Sequence, residues 1–249
     1  MAVRAIVRPP GASYPSAVTR RVPPPPVDLT EALVQHRAYV AALAACGAEI
    51  VELPPDDEHP DAVFVQDPVL VVDGRTIVLR SAVTSRRGEA RRLVEALERH
   101  MPVTNLQPPA TLDGGDVLVT DRTLYVGMSA RSNLEGCRQL ESLTGRPVVR
   151  VPLPDGMLHL LTGCTWLDRN RLLAVAALAS AFPQFETVIV PEDEAPAANV
   201  LIVGAHAIAP LGYAGVAGLL EAQGFTVHAV PCGEFEKRDG GVTCRALLF

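Results

Sequence analysis

The sequence predicts an α/β fold in which five strand-strand-helix-strand units close into a ring around a central site. Three observations carry this reading. Apolar strand pairs joined by short polar turns recur along the chain, and amphipathic helices fall between the recurrences. The chain also ends in a half unit that needs a partner strand from its own start. At 249 residues the units fit one domain, residues 1–249.

The copies can be taken in order. Residues 62–72 form an apolar segment interrupted by Gln66-Asp67-Pro68, and Asp73-Gly74 turns the chain into residues 76–79. Residues 112–119, with Asp113-Gly114-Gly115-Asp116 near their start, pass through Asp121-Arg122 into residues 123–126. Residues 158–167 pass through Asp168-Arg169-Asn170 into residues 171–175. Residues 197–203 pass through a Gly204-Ala205-His206 turn into residues 207–209. Residues 241–248 are the half copy, and residues 2–7 are its expected partner. Each copy is expected to hold a strand on both sides of its junction. The junctions are Asp67, Asp116, Cys164, Asn199 and Cys244, at steps of 49, 48, 35 and 45 residues.

Helices fill the intervals. Asp28 can cap the first, with Glu31 three residues on, and its apolar face is Leu33, His36, Tyr39, Val40 and Leu43 before Gly47. A second is expected from about Arg86 to His100, carrying Leu93, Val94 and Leu97. A third carries Leu134, Cys137, Leu140 and Leu143 and stops at Gly145. A fourth carries Val216, Leu219 and Leu220 and stops at Gly224. The prolines at 23–26 make a stiff exposed loop.

A net charge of −6 argues against nucleic acid as a partner but suits a cationic small substrate. The five cysteines are widely spaced, odd in number and contain no CxxC pair, so a disulfide framework or zinc knuckle is not expected. Reduced thiols place the protein in the cytoplasm. The start of the chain lacks a signal-peptide pattern, and no run nears the ~18 apolar residues that cross a bilayer.

The junctions also hold the polar groups. Taken singly, each has an ordinary explanation: His159 in an apolar run as a hydrogen-bonded core histidine, Cys244 as a buried small hydrophobe, Asp113 to Asp116 as a turn. Arg86 and Arg131 read either as solvated arginines or as a clamp for a carboxylate. If the ring closes, however, Cys244, His159 and the carboxylates Asp61, Asp67, Asp113 and Asp116 converge, and those are the parts of thiol nucleophilic catalysis.

Five strings add a resemblance. They are Asp61-Ala62-Val63-Phe64-Val65-Gln66-Asp67, Thr111-Leu112-Asp113-Gly114-Gly115-Asp116-Val117-Leu118, Val126-Gly127-Met128-Ser129-Ala130-Arg131-Ser132-Asn133, Leu158-His159-Leu160 and the stretch from Glu234 to Cys244. In this order, over essentially the whole chain, they resemble the dimethylarginine dimethylaminohydrolase (dimethylargininase) family of guanidino-group-modifying enzymes. The resemblance implies a five-bladed α/β propeller (pentein), in agreement with the repeat count. It implies hydrolysis of Nω,Nω-dimethyl-L-arginine or Nω-methyl-L-arginine to L-citrulline and dimethylamine or methylamine, through a Cys-bound S-alkylthiouronium, with no metal or redox cofactor. It makes Cys244 the nucleophile, His159 the general acid/base and Asp113 the residue that orients the histidine. Asp61, Gln66 and Asp67 would line the guanidinium site, and Arg86 and Arg131 would hold the α-carboxylate. The backbones of Tyr14 and Arg238, with Asp239 beside them, would meet the amino-acid end. An inhibitory zinc ion could bind Cys244 and His159, which are both good ligands.

The chain departs from the family pattern at Gln66, where Glu is common, and at Tyr14, where a smaller aliphatic residue is common. Both bear on substrate choice. The alternatives are a related hydrolase of arginine or another substituted guanidine, and a non-catalytic guanidino-ligand binder.

Overall fold

The computed structural model describes residues 3–249, so the Ala2 end of the expected first strand lies outside the described residues. Five three-stranded sheets follow in chain order. In the first, β1 (Arg4–Val7) lies between β2 (Glu49–Glu52), which is parallel to it, and the last strand β15 (Ala246–Leu248), which is antiparallel. The others repeat the scheme: β3 (Val69–Val72), β4 (Arg75–Val78) and β5 (Val103–Asn105), then β6 (Val117–Val119), β7 (Leu124–Gly127) and β8 (Val148–Val151). Then come β9 (Cys164–Asp168), β10 (Arg171–Val175) and β11 (Glu186–Val190), and finally β12 (Leu201–Val203), β13 (His206–Pro210) and β14 (Thr226–Val230). In every sheet the middle strand pairs antiparallel on one side and parallel on the other.

A parallel pair needs a crossover, and the helices supply it. The crossovers are α1 (Leu29–Ala45), α2 (Arg91–Leu97), α3 (Leu134–Thr144), α5 (Ala176–Ala179) and α6 (Ala214–Ala222). Two further short helices, α4 (Leu160–Gly163) and α7 (Gly233–Glu236), lie at junctions. Asp28 caps α1 by accepting from Thr30 N (2.9 Å) and Glu31 N (3.1 Å), a contact worth about 1 kcal/mol. Glu31 does not reach back to the cap; Glu234 accepts from Asp28 N instead, at 2.8 Å.

Five apolar clusters lie between successive sheets and prove the ring. Ile6 and Leu247 meet Val69; Leu70 and Ile77 meet Val117 and Val126; Leu118 and Tyr125 meet Leu172 and Ala174. Leu173 and Val190 meet Ala207 and Ala209, and Ile208 and Val230 return to Ala5 and Val7. The fold is therefore the expected five-bladed α/β propeller, closed by β1 against β15.

Four local expectations are corrected. The segments before the junctions are not strands: 3-10 turns run over Gly114–Asp116, Glu192–Ala198 and Thr243–Arg245, α4 takes that place before β9, and irregular turns span 59–68. These residues pack around the axis rather than in a sheet. The packing there is so close that a Cβ on Gly114 would strike the Gln66 backbone carbonyl, and one on Gly241 would strike the Asn199 side chain. The second helix is shorter than expected, since Arg86 turns inward to buried carboxylates within a separate 3-10 turn, Thr84–Arg86. The fourth hairpin turn is only Gly204-Ala205, because His206 already begins β13. The fourth crossover helix, α5, has four residues and no sequence signal long enough to see. Asp73-Gly74, by contrast, forms the expected two-residue turn, with φ of 50° and 66°.

Candidate active site

The junction turns direct their side chains toward one cavity of about 580 Å³ at the axis of the ring. Cys244, His159, Asp61, Gln66, Asp67, Arg86, Arg131, Arg238 and Asp239 all line it. Asp113 and Tyr14 do not.

Cys244 is the middle residue of the 3-10 turn before β15. Its Sγ accepts from Gly241 N at 3.2 Å and lies 3.3 Å from Gly241 O. The turn is pinned by Asn199, whose amide donates to Leu161 O and Thr243 Oγ1 at 2.8 Å each and whose Oδ1 accepts from Val242 N (2.8 Å) and Thr243 N (3.1 Å). Sequence reasoning aligned Asn199 as a junction without giving it a task; its place in the repeat register was the available signal. Burial, with the Asp67 charge adding to it, pushes the Cys244 thiol up to about 12 against the pull of Arg245 and Arg86. Arg245 itself is fully buried, and its guanidinium lies 4.0 Å from the Tyr39 ring centroid and 4.3 Å from that of Phe235. None of its nitrogens has a hydrogen-bond partner among the described residues, so its charge acts on its surroundings uncompensated.

His159 caps α4, with Nδ1 3.2 Å from Asp116 Oδ1. At this separation the ring nitrogen falls outside hydrogen-bond geometry while remaining within ion-pair distance. Burial lowers the His159 pKa, but Asp116 and Asp67, with Asp113, outweigh it and the net shift is upward. Asp116 is itself held by Ser129 Oγ, by Ser132 Oγ at 2.6 Å and by Leu160 N at 3.2 Å. This corrects the assignment of Asp113 as the orienting residue. Asp113 stands on the other side of the Gly114-Gly115 turn, fully buried, with Oδ2 3.4 Å from Arg131 Nη1 and Oδ1 unpartnered. Burial and the Asp67 charge raise its pKa.

Deeper in the cavity lining, Asp67 accepts from Arg86 Nη1 at 2.9 Å and from Gly115 N at 3.2 Å. Burial alone would raise its pKa; Arg86 and His159 reverse that and lower it. Asp61 accepts from Val18 N at 3.2 Å, and burial raises its pKa. Gln66 keeps its Oε1 buried and without a partner, a free acceptor for a ligand N–H. Arg86 is engaged more fully than a carboxylate clamp requires: Nε and Nη2 grip Glu89 at 2.9 and 2.8 Å while Nη1 holds Asp67. Arg131, with only the 3.4 Å Asp113 contact, is the freer cation.

The segment after Tyr14 covers the cavity. Arg238 donates to Pro15 O (2.6 Å) and Pro25 O (3.0 Å), and Asp239, at φ 58°, accepts from Arg20 N at 2.7 Å. Their side chains thus hold the covering segment, and both residues line the cavity. Tyr14 is corrected: it is fully buried between Phe64 (6.2 Å) and Phe235 (5.6 Å) and donates to Glu234 O, whereas Val18 and Arg20 of the same segment line the cavity. Its aromatic ring gave a core signal that the motif match overrode.

Comparison with known proteins bears on this arrangement. The family described as N,N dimethylarginine dimethylhydrolase, eukaryotic, matches residues 27–159. An N(G),N(G)-dimethylarginine dimethylaminohydrolase of Pseudomonas aeruginosa is 38% identical over 231 residues, covering 89% of this chain and 90% of that protein. The enzyme of that name from Streptomyces coelicolor is 38% identical over 248 residues, covering 97% and 95%. A solved structure of a cysteine-to-serine mutant of the Pseudomonas aeruginosa enzyme, complexed with citrulline, superposes with a TM-score of 0.95 at 36% identity over all of both chains. The N-terminal domain of ArgZ, an arginine dihydrolase from cyanobacteria, superposes with a TM-score of 0.90 at 24% identity over 100% of this chain and 97% of that one, a likeness of fold.

Proposed function

The chain belongs to the dimethylarginine dimethylaminohydrolase family, and we propose that it hydrolyses Nω,Nω-dimethyl-L-arginine and Nω-methyl-L-arginine to L-citrulline and dimethylamine or methylamine. The observation that carries the reading is the meeting of Cys244, His159 and the carboxylates Asp61 and Asp67 in one cavity lined by residues from distant blades. The five apolar clusters between successive sheets support residues 1–249 acting as one catalytic domain.

A guanidinium ion is a poor electrophile, because its charge is delocalised and its pKa exceeds about 12. Asp61 and Asp67 accept its N–H groups in charge-assisted bonds, and Gln66 Oε1 takes a further one. Arg131 holds the α-carboxylate; Arg86 assists from its place between Asp67 and Glu89. The backbones of Val18, Arg238 and Asp239 enclose the amino-acid end.

Burial pushes the Cys244 thiol up to about 12, which favours a nucleophile generated as the substrate binds. The arriving cation stabilises the thiolate, whose proton passes to solvent as the substrate binds, which is substrate-assisted activation. Sγ attacks the central carbon and gives a tetrahedral adduct. His159, held as imidazolium by Asp116, protonates the departing methylamine or dimethylamine, and the adduct collapses to the S-alkylthiouronium. The neutral imidazole then takes a proton from water, whose oxygen attacks the same carbon. The C–S bond breaks and leaves citrulline and the free Cys244. Zinc at Cys244 and His159 would occupy both reacting groups and inhibit. No described helix is long and apolar enough to cross a membrane, and five free cysteines fit a reducing compartment such as the cytoplasm.

Citrulline production from arginine, monomethylarginine, asymmetric dimethylarginine and symmetric dimethylarginine tests the reading. Turnover of the monomethyl and asymmetric dimethyl forms is expected; turnover of arginine alone would move the chain to the related arginine hydrolases, and turnover of none would leave a binder.

A further inference from the structure

One cluster of ligating side chains stands apart from the cavity. Cys46 caps the C-terminus of α1, its N–H donating to Ala42 O at 3.0 Å. His206 opens β13, and His228 sits in the middle of β14. These strands are parallel, with His206 opposite Thr226 and Ile208 opposite His228. The two histidines therefore lie two residues apart along one face of the sheet. His206 Nδ1 is 3.1 Å from His228 Nε2, and a sulfur and two nitrogens from the three residues all lie within 4.8 Å of one another. Cys46 packs against the apolar cluster of Leu43, Ala48, Val203 and Ile208. All three side chains are half-buried, and the proposed reaction uses none of them.

We propose that Cys46, His206 and His228 form a binding site for a thiophilic divalent transition-metal cation, Zn²⁺ foremost. A tetrahedral ion with metal–nitrogen bonds of about 2.0–2.1 Å sets its nitrogen ligands about 3.3 Å apart. The imidazole pair already stands at that separation, so the sheet has built one edge of the tetrahedron. A metal–sulfur bond of about 2.3 Å needs the Cys46 Sγ within about 3.6 Å of each nitrogen, a shift of roughly one ångström from the outer limit of the cluster. One thiolate and two imidazoles are a borderline-soft donor set, which selects zinc-like ions over magnesium or calcium.

Sulfur binds such an ion as thiolate, so metal binding releases a proton from Cys46. The fourth position falls to water, as no other His, Cys, Asp or Glu among the described residues joins the group. The site has a structural consequence. α1 belongs to the first blade and β13 and β14 to the fifth, so the ion would staple the two blades at the seam where the ring closes.

The full chain with Cys244→Ser provides the test background, since the active-site thiol is then removed as a competing ligand. After chelation and dialysis, Co²⁺ titration is expected to reach one equivalent and to develop a thiolate-to-cobalt charge-transfer band that Zn²⁺ displaces. Zn²⁺ should also raise Tm. Adding Cys46→Ser should remove the band and weaken Zn²⁺ binding by more than about 100-fold. A separate His228→Gln variant, which leaves the end of α1 untouched, should weaken it likewise. In the otherwise unaltered chain, Cys46→Ser should leave turnover unchanged. A Cys244→Ser protein that binds no Co²⁺, or a band that survives Cys46→Ser, overturns the site.

Discussion

Asp116 Oδ1 stands 3.2 Å from His159 Nδ1, and the carboxylate is fully buried beneath two serine hydroxyls and the Leu160 amide. The Asp116 charge is thereby fixed against the imidazole. Asp116→Asn removes that charge, so the His159 pKa should drop and the alkaline limb of the kcat profile should move to lower pH. The kcat value should fall by about 10- to 1000-fold. Asp113→Asn, tested alongside, should move the limb less; the reverse order would restore Asp113 as the orienting residue. A stability effect accompanies this. The folded His159 pKa is raised, so its imidazolium stabilises the fold fully below the unfolded value of about 6.5 and loses that contribution as pH rises through the raised value. The Asp116→Asn deficit in Tm should therefore be largest in mildly acidic buffer.

Arg245 offers a way to separate the electrostatics of Cys244 from the packing around it. A buried cation without a carboxylate partner is expensive, and apolar replacement of such groups is often neutral for stability. Arg245→Met should therefore keep Tm within a few degrees while slowing alkylation of Cys244 at every pH below its pKa. Arg245→Lys should recover part of the rate. Equal alkylation rates in all three proteins would remove Arg245 from the account. In the unaltered free enzyme the rate should keep climbing beyond pH 10, because the thiol is pushed to about 12. A plateau near pH 7 would contradict substrate-assisted activation.

The two arginines should behave differently. Arg86→Ala strands Asp67 and Glu89 as buried unpaired carboxylates and should cost about 3–5 kcal/mol in chemical denaturation. Arg131→Ala, which breaks only a 3.4 Å contact, should leave stability nearly unchanged and raise KM instead. Equal losses of stability would show that Arg131 is structural as well.

Gln66 presents an unpartnered acceptor to the cavity. Gln66→Glu keeps that oxygen and adds a charge beside a cationic ligand. A charge-assisted bond gains about 1 kcal/mol over a neutral one, so KM for the methylated arginines should fall about five- to tenfold. An unchanged KM would mean that Gln66 does not touch the guanidinium.

The ring was legible because its signals are local: apolar strands, Asp73-Gly74, the cap at Asp28, the stop at Gly145. The convergence of Cys244, His159, Asp61 and Asp67 followed from closing that ring. What escaped the sequence depends on three-dimensional packing. The axis turns at 114–116 and 243–245 lie inside segments that border apolar strands but are crowded into helical turns. Asp113 and Asp116 flank the same glycine pair, and only the fold decides which faces His159. Tyr14 precedes the covering segment yet packs into the core between Phe64 and Phe235, which a motif match does not encode. Cys46, His206 and His228 are 160 and 22 residues apart in turn, so only the pairing of β13 with β14 brings them together.

The central claim is that Cys244 bonds to the central carbon of a guanidino amino acid. Intact-protein mass spectrometry of the His159→Gly variant with S-methyl-L-thiocitrulline tests it most directly. A histidine-to-glycine dimethylarginine dimethylaminohydrolase has been solved as an adduct with this compound. The mass should rise by one probe molecule less methanethiol, with the label on Cys244, and Cys244→Ser should abolish the gain. An unlabelled His159→Gly protein, or a label carried by another residue, would contradict the account.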